Sequence, residues 1–363
     1  MSVCHKVKGV SIGGIAACVP KGEIDNLEFG RELFGDSLEG ALKVTGVRKR
    51  RVCEEEKVTS LDLCVYAAKA LAERASIDYS DFGGVIFVTL TPDLPLPNNA
   101  TLAHSLLGFP PESAAFDMSL ACPGYPYGLW AAAMMAKSTG RKILLLDGDT
   151  HSHFVSSRDR ATALLFGDAG SATVVAPSEG AEAWTFDFVT DGALRDVLAI
   201  PEGGYRKRFN ARSAEYTERE EGAFRRGIDM KMDGIAVFNA VVRYAPGSLK
   251  RVMESDGASE GDYGYLVLHQ ANLMMIRQIA KKLGFKDERF PLSLDRYGNV
   301  GSATIPLTIC SELGETIRNK SSRILMSAFG AGFSVASAGV SIGPCPCAGV
   351  VEYEDHLSSS ASS

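Results

Sequence analysis

Runs of apolar and β-branched residues punctuate the chain: GGVIFVTL (83–90), SAAFDMSLA (113–121), KILLLDGD (142–149), SATVVA (171–176), YLVLH (265–269), RILMSAFG (323–330) and SVASAGVSI (334–342). Strands that are apolar throughout must be covered on both faces, so the pattern predicts sheets sandwiched by helices. Helical stretches lie between them, among them TLAHSLLG, GYPYGLWAAAMMAK and ANLMMIRQIAKKLG. In the last, Leu273, Ile276, Ile279, Ala280 and Leu283 recur on one helical face. The order also repeats. KILLLDGD leads through a loop to GDAGSATVVA, and RILMSAFG leads through AGFSVASAGVSI, an echo expected of two similar α/β halves. The predicted organisation is an N-terminal half over 1–178, a connecting excursion over 179–231 and a C-terminal half over 232–343. Within the excursion, 203–232 reads as mixed charge without a strand. A poorly ordered tail over 344–363, ending HLSSSASS, completes the reading. Near the start, GVSIGGIAACVP follows two lysines and imitates a targeting signal. Its apolar core is short and Gly-rich, and it reads as a first strand ending at Pro20.

Composition narrows the function classes. A net charge of -6 over 363 residues argues against a nucleic-acid or membrane-surface partner. No apolar run approaches the ~20 residues a membrane helix needs. The eight cysteines are scattered without a close-packed framework, the pattern of reduced thiols in the cytoplasm.

Candidate chemistry gathers where strands pass into helices. In SLACPGYPYGLWAAAMMAK (119–137), Cys122 follows a strand and precedes a helix, with Pro123 suited to the first helical position. A thiol there faces the positive end of the helix and its free N–H groups. Taken alone, Cys122 reads equally as buried filler. His269 ends YLVLH at the equivalent junction of the second half, where ligands of open α/β sheets gather. Asn299 stands in the Gly-flanked loop of DRYGNVGSATIPL, and FGAGFSVAS (329–337) is a glycine-rich turn whose N–H groups suit an oxyanion. DGDTHSH (147–153) offers two aspartates and two histidines but no HxxxH pair, so it reads as loop and capping residues rather than a metal site. The CPC of 345–347 is too little for a zinc site.

Together ACPGYPYGL, RATALLFGDAGSATVV (160–175), LHQANLMMIRQIAKKLG (268–284), DRYGNVGSATIPL (295–307) and FGAGFSVAS resemble the β-ketoacyl-[acyl-carrier-protein] synthase III family of the thiolase superfamily, over about residues 8–342. The resemblance implies a thiolase-like fold: two pseudo-symmetric α/β halves in a five-layer αβαβα arrangement. It implies Cys122 as the acylated nucleophile, His269 and Asn299 activating a malonyl extender, and the N–H groups of Cys122 and Ala331 as the oxyanion hole. Arg160, Phe238, Asn272, Phe329 and Leu96 would contact substrate, Phe238 along the pantetheine passage and Leu96 in the acyl pocket of a partner subunit. It further implies acyl-CoA or acyl-carrier protein with malonyl-carrier protein as substrates, no metal or other cofactor, and a homodimer.

The chain departs from the family pattern in two places. Where a tryptophan is expected before TGVRKRR (45–51) the position falls near Gly40, and Met274 stands where an arginine is expected. Both losses fit a carrier-protein-bound or unusual acyl donor better than acetyl-CoA, and Leu96 in place of a larger aromatic fits a roomier acyl pocket. The excursion's arginines, Arg225 and Arg226 among them, could steer an acidic carrier protein, although Glu215, Glu218, Glu220 and Glu221 offset them. Two other readings use the same residues: a transferase passing the acyl group from Cys122 to an alcohol or amine, and an inactive scaffold. Asn299 favours condensation over simple transfer, and the intact trio weighs against the scaffold.

Overall fold

The computed structural model describes residues 4–54, 57–219 and 223–354. Its principal strands in the first half are β1 (His5–Val7), β2 (Val10–Val19), β3 (Phe82–Val88), β4 (Ala114–Met118), β5 (Lys142–Thr150) and β6 (Asp168–Pro177). Those that follow are β7 (Trp184–Thr190), β8 (Tyr265–Leu268), β9 (Ser322–Gly330), β10 (Ser334–Ile342) and β11 (Cys347–Glu352). They form a six-stranded sheet, order β11-β2-β6-β5-β3-β4, and a five-stranded sheet, order β1-β7-β10-β9-β8.

The repeat seen in the sequence is a repeat of topology. Strands β2, β6, β5 and β3 pair antiparallel, antiparallel and parallel in turn. Strands β7, β10, β9 and β8 repeat that order and those directions. Helices α1 (Ser60–Ala75) and α2 (Asn99–Leu107) cover the outside of the first sheet, and α4 (Gly234–Asp256) and α5 (Leu273–Leu283) lie beyond the second. Between the sheets run α3 (Gly124–Thr139) and α6 (Thr304–Glu312), each touching strands of both. A helix with sheet on both sides cannot keep a polar face. Accordingly, Tyr125, Leu129, Ala132, Ile305, Leu307 and Ile309 of these helices join one buried cluster with strand residues of both halves. The result is five layers, αβαβα.

Several expected boundaries move. Strand β7 falls in the expected excursion, yet it pairs with β10 inside the second sheet. Residues 203–232 contain short paired strands, Thr217–Glu218 with Phe224–Arg225, and Lys231–Met232 with Leu198–Ala199. The tail expected to be disordered holds β11, which extends the first sheet parallel to β2, with Cys345 and Cys347 buried against the central layer. Residues 355–363 of that tail, and Glu220 and Glu221 of the excursion, lie outside the described residues. Strand β4 is an edge strand with Phe116 38% exposed, not the doubly covered strand its apolar run predicts. Met275 takes a buried place on α5 beside Ile276, Ile279, Ala280 and Leu283, while Leu273 is half-buried over Gly46. All eight cysteines are free thiols. Among the described residues no helix is long and apolar enough to cross a membrane.

Candidate active site

Strand ends of the two halves meet at one cavity, but not at equivalent junctions as the sequence suggests: Cys122 follows the edge strand β4, whereas His269 follows β8, the counterpart of β3. It has a volume of about 330 Å³ and is lined by Cys122, His151, His269, Asn272, Asn299, Phe329 and Ala331 among others. The mouth opens toward a vestibule of about 740 Å³ that holds Arg160, and the two share Met232 and Gly234.

Cys122 sits in the turn before α3, which begins at Gly124 with Pro123 as its N-cap, one residue later than the sequence predicts. The turn is closed by Gly124 N–H donating to the Ala121 carbonyl at 2.7 Å. Gly330, ending β9, packs directly on Cys122: a Cβ there would stand 2.9 Å from Cys122 Cβ and 3.1 Å from its sulfur. Only glycine lets the 329–331 turn, and with it Ala331, approach the thiol this closely. Burial, helped by the Asp149 carboxylate, pushes the Cys122 thiol up to about 12, with its own backbone N–H pulling the other way.

His269 follows β8 and is anchored by its N–H to the Ser327 carbonyl, 2.9 Å. Its ring meets Phe329 edge-on, with centroids 5.5 Å apart. Burial, with His151 adding repulsion, drives its pKa down to about 3, so the imidazole is neutral at physiological pH. Nδ1 lies 2.7 Å from Thr304 Oγ1, which lies 2.9 Å from the Gly301 carbonyl. The single hydroxyl proton serves one of the two. Donated to Gly301, it leaves Thr304 accepting from Nδ1–H and Nε2 bare; donated to Nδ1, it leaves the proton on Nε2.

Asn299 is held at both ends of its backbone: its N–H donates to the Leu165 carbonyl at 2.8 Å, and its carbonyl accepts from Gly167 N–H at 3.0 Å. Its side-chain oxygen accepts from Gly301 N–H at 3.0 Å, which leaves the amide N–H₂ as the group available to the cavity. Beneath the site, Asp149 accepts from Leu90 N–H (2.7 Å), Thr89 Oγ1 (3.1 Å) and Ser302 Oγ (2.9 Å). Asp147, fully buried two residues earlier, has both carboxyl oxygens without a partner among the described residues, and desolvation holds its pKa well above the carboxylate range.

The peripheral candidates divide. Asn272 lines the cavity but is also the N-cap of α5, its side-chain oxygen accepting from Met275 N–H at 2.8 Å. Phe329 forms the wall beside His269. Phe238 lines neither cavity; it packs on the core beneath α4, while its neighbour Val237 faces the cavity. Leu96 is 85% exposed and does not line the cavity of its own chain. Arg160 reaches the vestibule, with its guanidinium over the Phe34 ring at 4.8 Å and one N–H donated to Ser37 Oγ at 2.6 Å. Gly40 borders open space. Arg225 is not free to dock a partner, since it pairs at 2.8 Å with the buried Asp159. Arg226 pairs with the buried Asp229 and donates to the His153 carbonyl. Sequence reasoning passed over His151, whose only signal was the DGDTHSH run.

Two family models match the chain, 3-oxoacyl-[acyl-carrier-protein] synthase III over residues 116–192 and the C-terminal model of the same synthase over 253–342. A β-ketoacyl-[acyl-carrier-protein] synthase III of Roseiflexus sp. RS-1 is 33% identical over 90% of this chain and 96% of its own length. The chain belongs to the β-ketoacyl-[acyl-carrier-protein] synthase III family. A synthase III of Clostridioides difficile 630 is 30% identical over 88% of this chain and 94% of its own. The crystal structure of a 3-oxoacyl-(acyl-carrier protein) synthase from Burkholderia xenovorans LB400 superposes with a TM-score of 0.90. It is 32% identical and covers 97% of this chain and 99% of that one. Members of the synthase III family are acyltransferases on the thiolase fold, and this chain is one.

Proposed function

We propose that this synthase III transfers an acyl group from a thioester to Cys122 and condenses it with malonyl-carrier protein to give a 3-oxoacyl-carrier protein. One observation carries the reading: a buried thiol, a neutral imidazole and a free amide N–H₂ converge on a single apolar cavity beside a glycine turn. In the first step the Cys122 sulfur attacks the thioester carbonyl and its proton passes to bare Nε2 of His269. The C–S bond to the carrier breaks, and the departing thiolate takes the proton back. In the second step malonyl loses carbon dioxide, and the enolate oxygen is met by Nε2–H of His269 and the Asn299 amide. Two donors preorganised in a dry site are where such charge is best stabilised. The enolate carbon bonds the acyl carbonyl, whose oxyanion faces the Cys122 and Ala331 N–H groups. Collapse expels the Cys122 thiolate, which takes up a proton from solvent, the one proton the condensation consumes. The Thr304 hydroxyl suits both steps, accepting from Nδ1–H when Nε2 is bare and donating to Nδ1 when Nε2 carries the proton; between the steps Nδ1 gives a proton to solvent, Nε2 takes one up, and the hydroxyl turns to match.

The donor on this reading arrives on a carrier protein. Phe34 covers one face of the Arg160 guanidinium, and Gly40 supplies no aromatic ring opposite, so the vestibule offers little to stack an adenine. The reading is tested by intact-protein mass spectrometry with acyl-CoA and acyl-carrier protein panels, together with carbon dioxide release from malonyl-carrier protein. Acyl addition lost in Cys122→Ala, with decarboxylation lost in His269→Ala and Asn299→Ala, is the expected result. Acylation without decarboxylation would favour transfer to an alcohol or amine instead.

A further inference from the structure

The DGDTHSH run delivers a second histidine to the cavity. Strand β5 ends at Thr150, and His151 opens a short helical turn, 1% exposed, on the cavity wall beside Cys122, His269 and Asn299. Its ring is fixed on three sides. It stacks on Phe166 with centroids 5.3 Å apart and planes 10° apart, and it meets Phe154 at 5.1 Å. The third side is Gly301, held at φ +63°, where any Cβ would overlap the imidazole. Packing of this kind sets orientation, but it satisfies no hydrogen bond.

The polar neighbours are already engaged. Asp149 spends both oxygens on Leu90, Thr89 and Ser302. Asn299 binds Gly301, His269 binds Thr304, and Asn272 caps α5. His151 Nδ1 is buried against Gly301 with no hydrogen-bond partner among the described residues, and Nε2, the ring nitrogen not so enclosed, has no partner among them either. Most of the remaining wall is apolar: Leu90, Leu165, Phe166, Met230, Val237 and Met275. A plain alkyl chain filling that space would seal the imidazole away from water without pairing it, which is the costly arrangement for a buried polar group. A chain bearing an oxygen would pair it, because a hydroxyl oxygen can accept from or donate to an imidazole nitrogen and a carbonyl oxygen can accept from it.

We propose that His151 is a specificity-determining residue that selects an acyl group carrying a hydrogen-bonding oxygen on its chain, a hydroxy- or oxo-acyl thioester, over the plain alkanoyl of the same length. The inference rests on Cys122 being the acylated nucleophile. A site built to hydrogen-bond a substrate oxygen discriminates strongly against the analogue lacking it, whereas an apolar pocket discriminates weakly.

The test is single-turnover acylation of Cys122, followed by intact mass, with butyryl and 3-hydroxybutyryl thioesters offered on coenzyme A and on carrier protein. The wild type is expected to favour the hydroxyacyl donor by about tenfold or more. His151→Leu is expected to reverse the preference, and His151→Gln, which keeps a donor and an acceptor, to retain part of it. A wild-type ratio at or below one overturns the proposal, as does a ratio unchanged in His151→Leu. Equal loss with both donors in His151→Leu also overturns it, since that would make the residue structural or catalytic. Malonyl-carrier protein decarboxylation, measured in parallel, separates the two failures. No adduct with decarboxylation intact removes the selectivity claim, whereas no adduct and no decarboxylation removes the functional reading as well.

Discussion

Cys122, the proposed nucleophile, is held in check by its surroundings. Burial lifts the thiol from 9.0 to about 12, so in the resting site the thiolate is scarce at neutral pH. The shift is upward in an acid, so the reactive form grows as pH rises and does not saturate below the raised value. Alkylation of Cys122 by iodoacetamide should therefore climb about tenfold per pH unit from about pH 7 to 10, without a plateau. A plateau near pH 7 would show a preformed thiolate and contradict this description of the site. On the proposed mechanism acyl transfer depends on the neutral His269 to take the proton, which its lowered pKa, about 3, leaves it free to do across the physiological range. Cys122, His269 and Asn299 were legible because each sits in a distinct local motif at a strand–helix junction. His151 was not. Nothing in DGDTHSH tells which of its side chains turns toward the cavity; that is decided by Phe166 and Gly301, far along the chain.

Among the elements, the strands with continuous apolar sequence were the easiest to read, because two covered faces leave a strong signature. Those that failed lacked it. Strand β4 is half-exposed at an edge, and β11 is short, preceded by GPCPC, a turn-rich stretch that reads as a chain end. Yet β11 matters to the fold: it pairs with β2 from Cys347 opposite Ile15 to Glu352 opposite Val19, and Cys345 packs in the central core. Truncation after Gly343 should lower Tm by about 5 °C or more, read by scanning calorimetry. An unchanged Tm would return the segment to the status of a dispensable tail.

At the scale of the whole molecule, the two halves contribute unequally to one site. The first supplies Cys122, and the second supplies His269, Asn299 and the 329–331 turn. Two partners follow from what the surface leaves unpaired. We propose a homodimer formed at the first sheet's edge, where β4 exposes Phe116 and the chain nearby exposes Leu96. Sedimentation should give twice 38.8 kDa, and a monomer at micromolar concentration would refute it. We also propose that the carrier protein meets Arg206 and Arg208, which are exposed on the loop beyond the cavity-lining Ile200, rather than the internally paired Arg225 and Arg226. Arg206→Glu with Arg208→Glu should raise the carrier-protein KM by about tenfold while leaving acylation from coenzyme A unchanged. An unaltered KM would place docking elsewhere. The sequence could not separate these arginines, since pairing with Asp159 and Asp229 depends on the fold.

On the proposed mechanism Cys122 carries the acyl group that malonyl-carrier protein then removes. The direct measurement is intact mass of the protein after incubation with acyl thioester, before and after malonyl-carrier protein is added. One acyl group is expected on the wild type and none on Cys122→Ala, with the wild-type adduct disappearing as a 3-oxoacyl-carrier protein forms. An adduct that persists in Cys122→Ala, or one that malonyl-carrier protein leaves untouched, would contradict that mechanism.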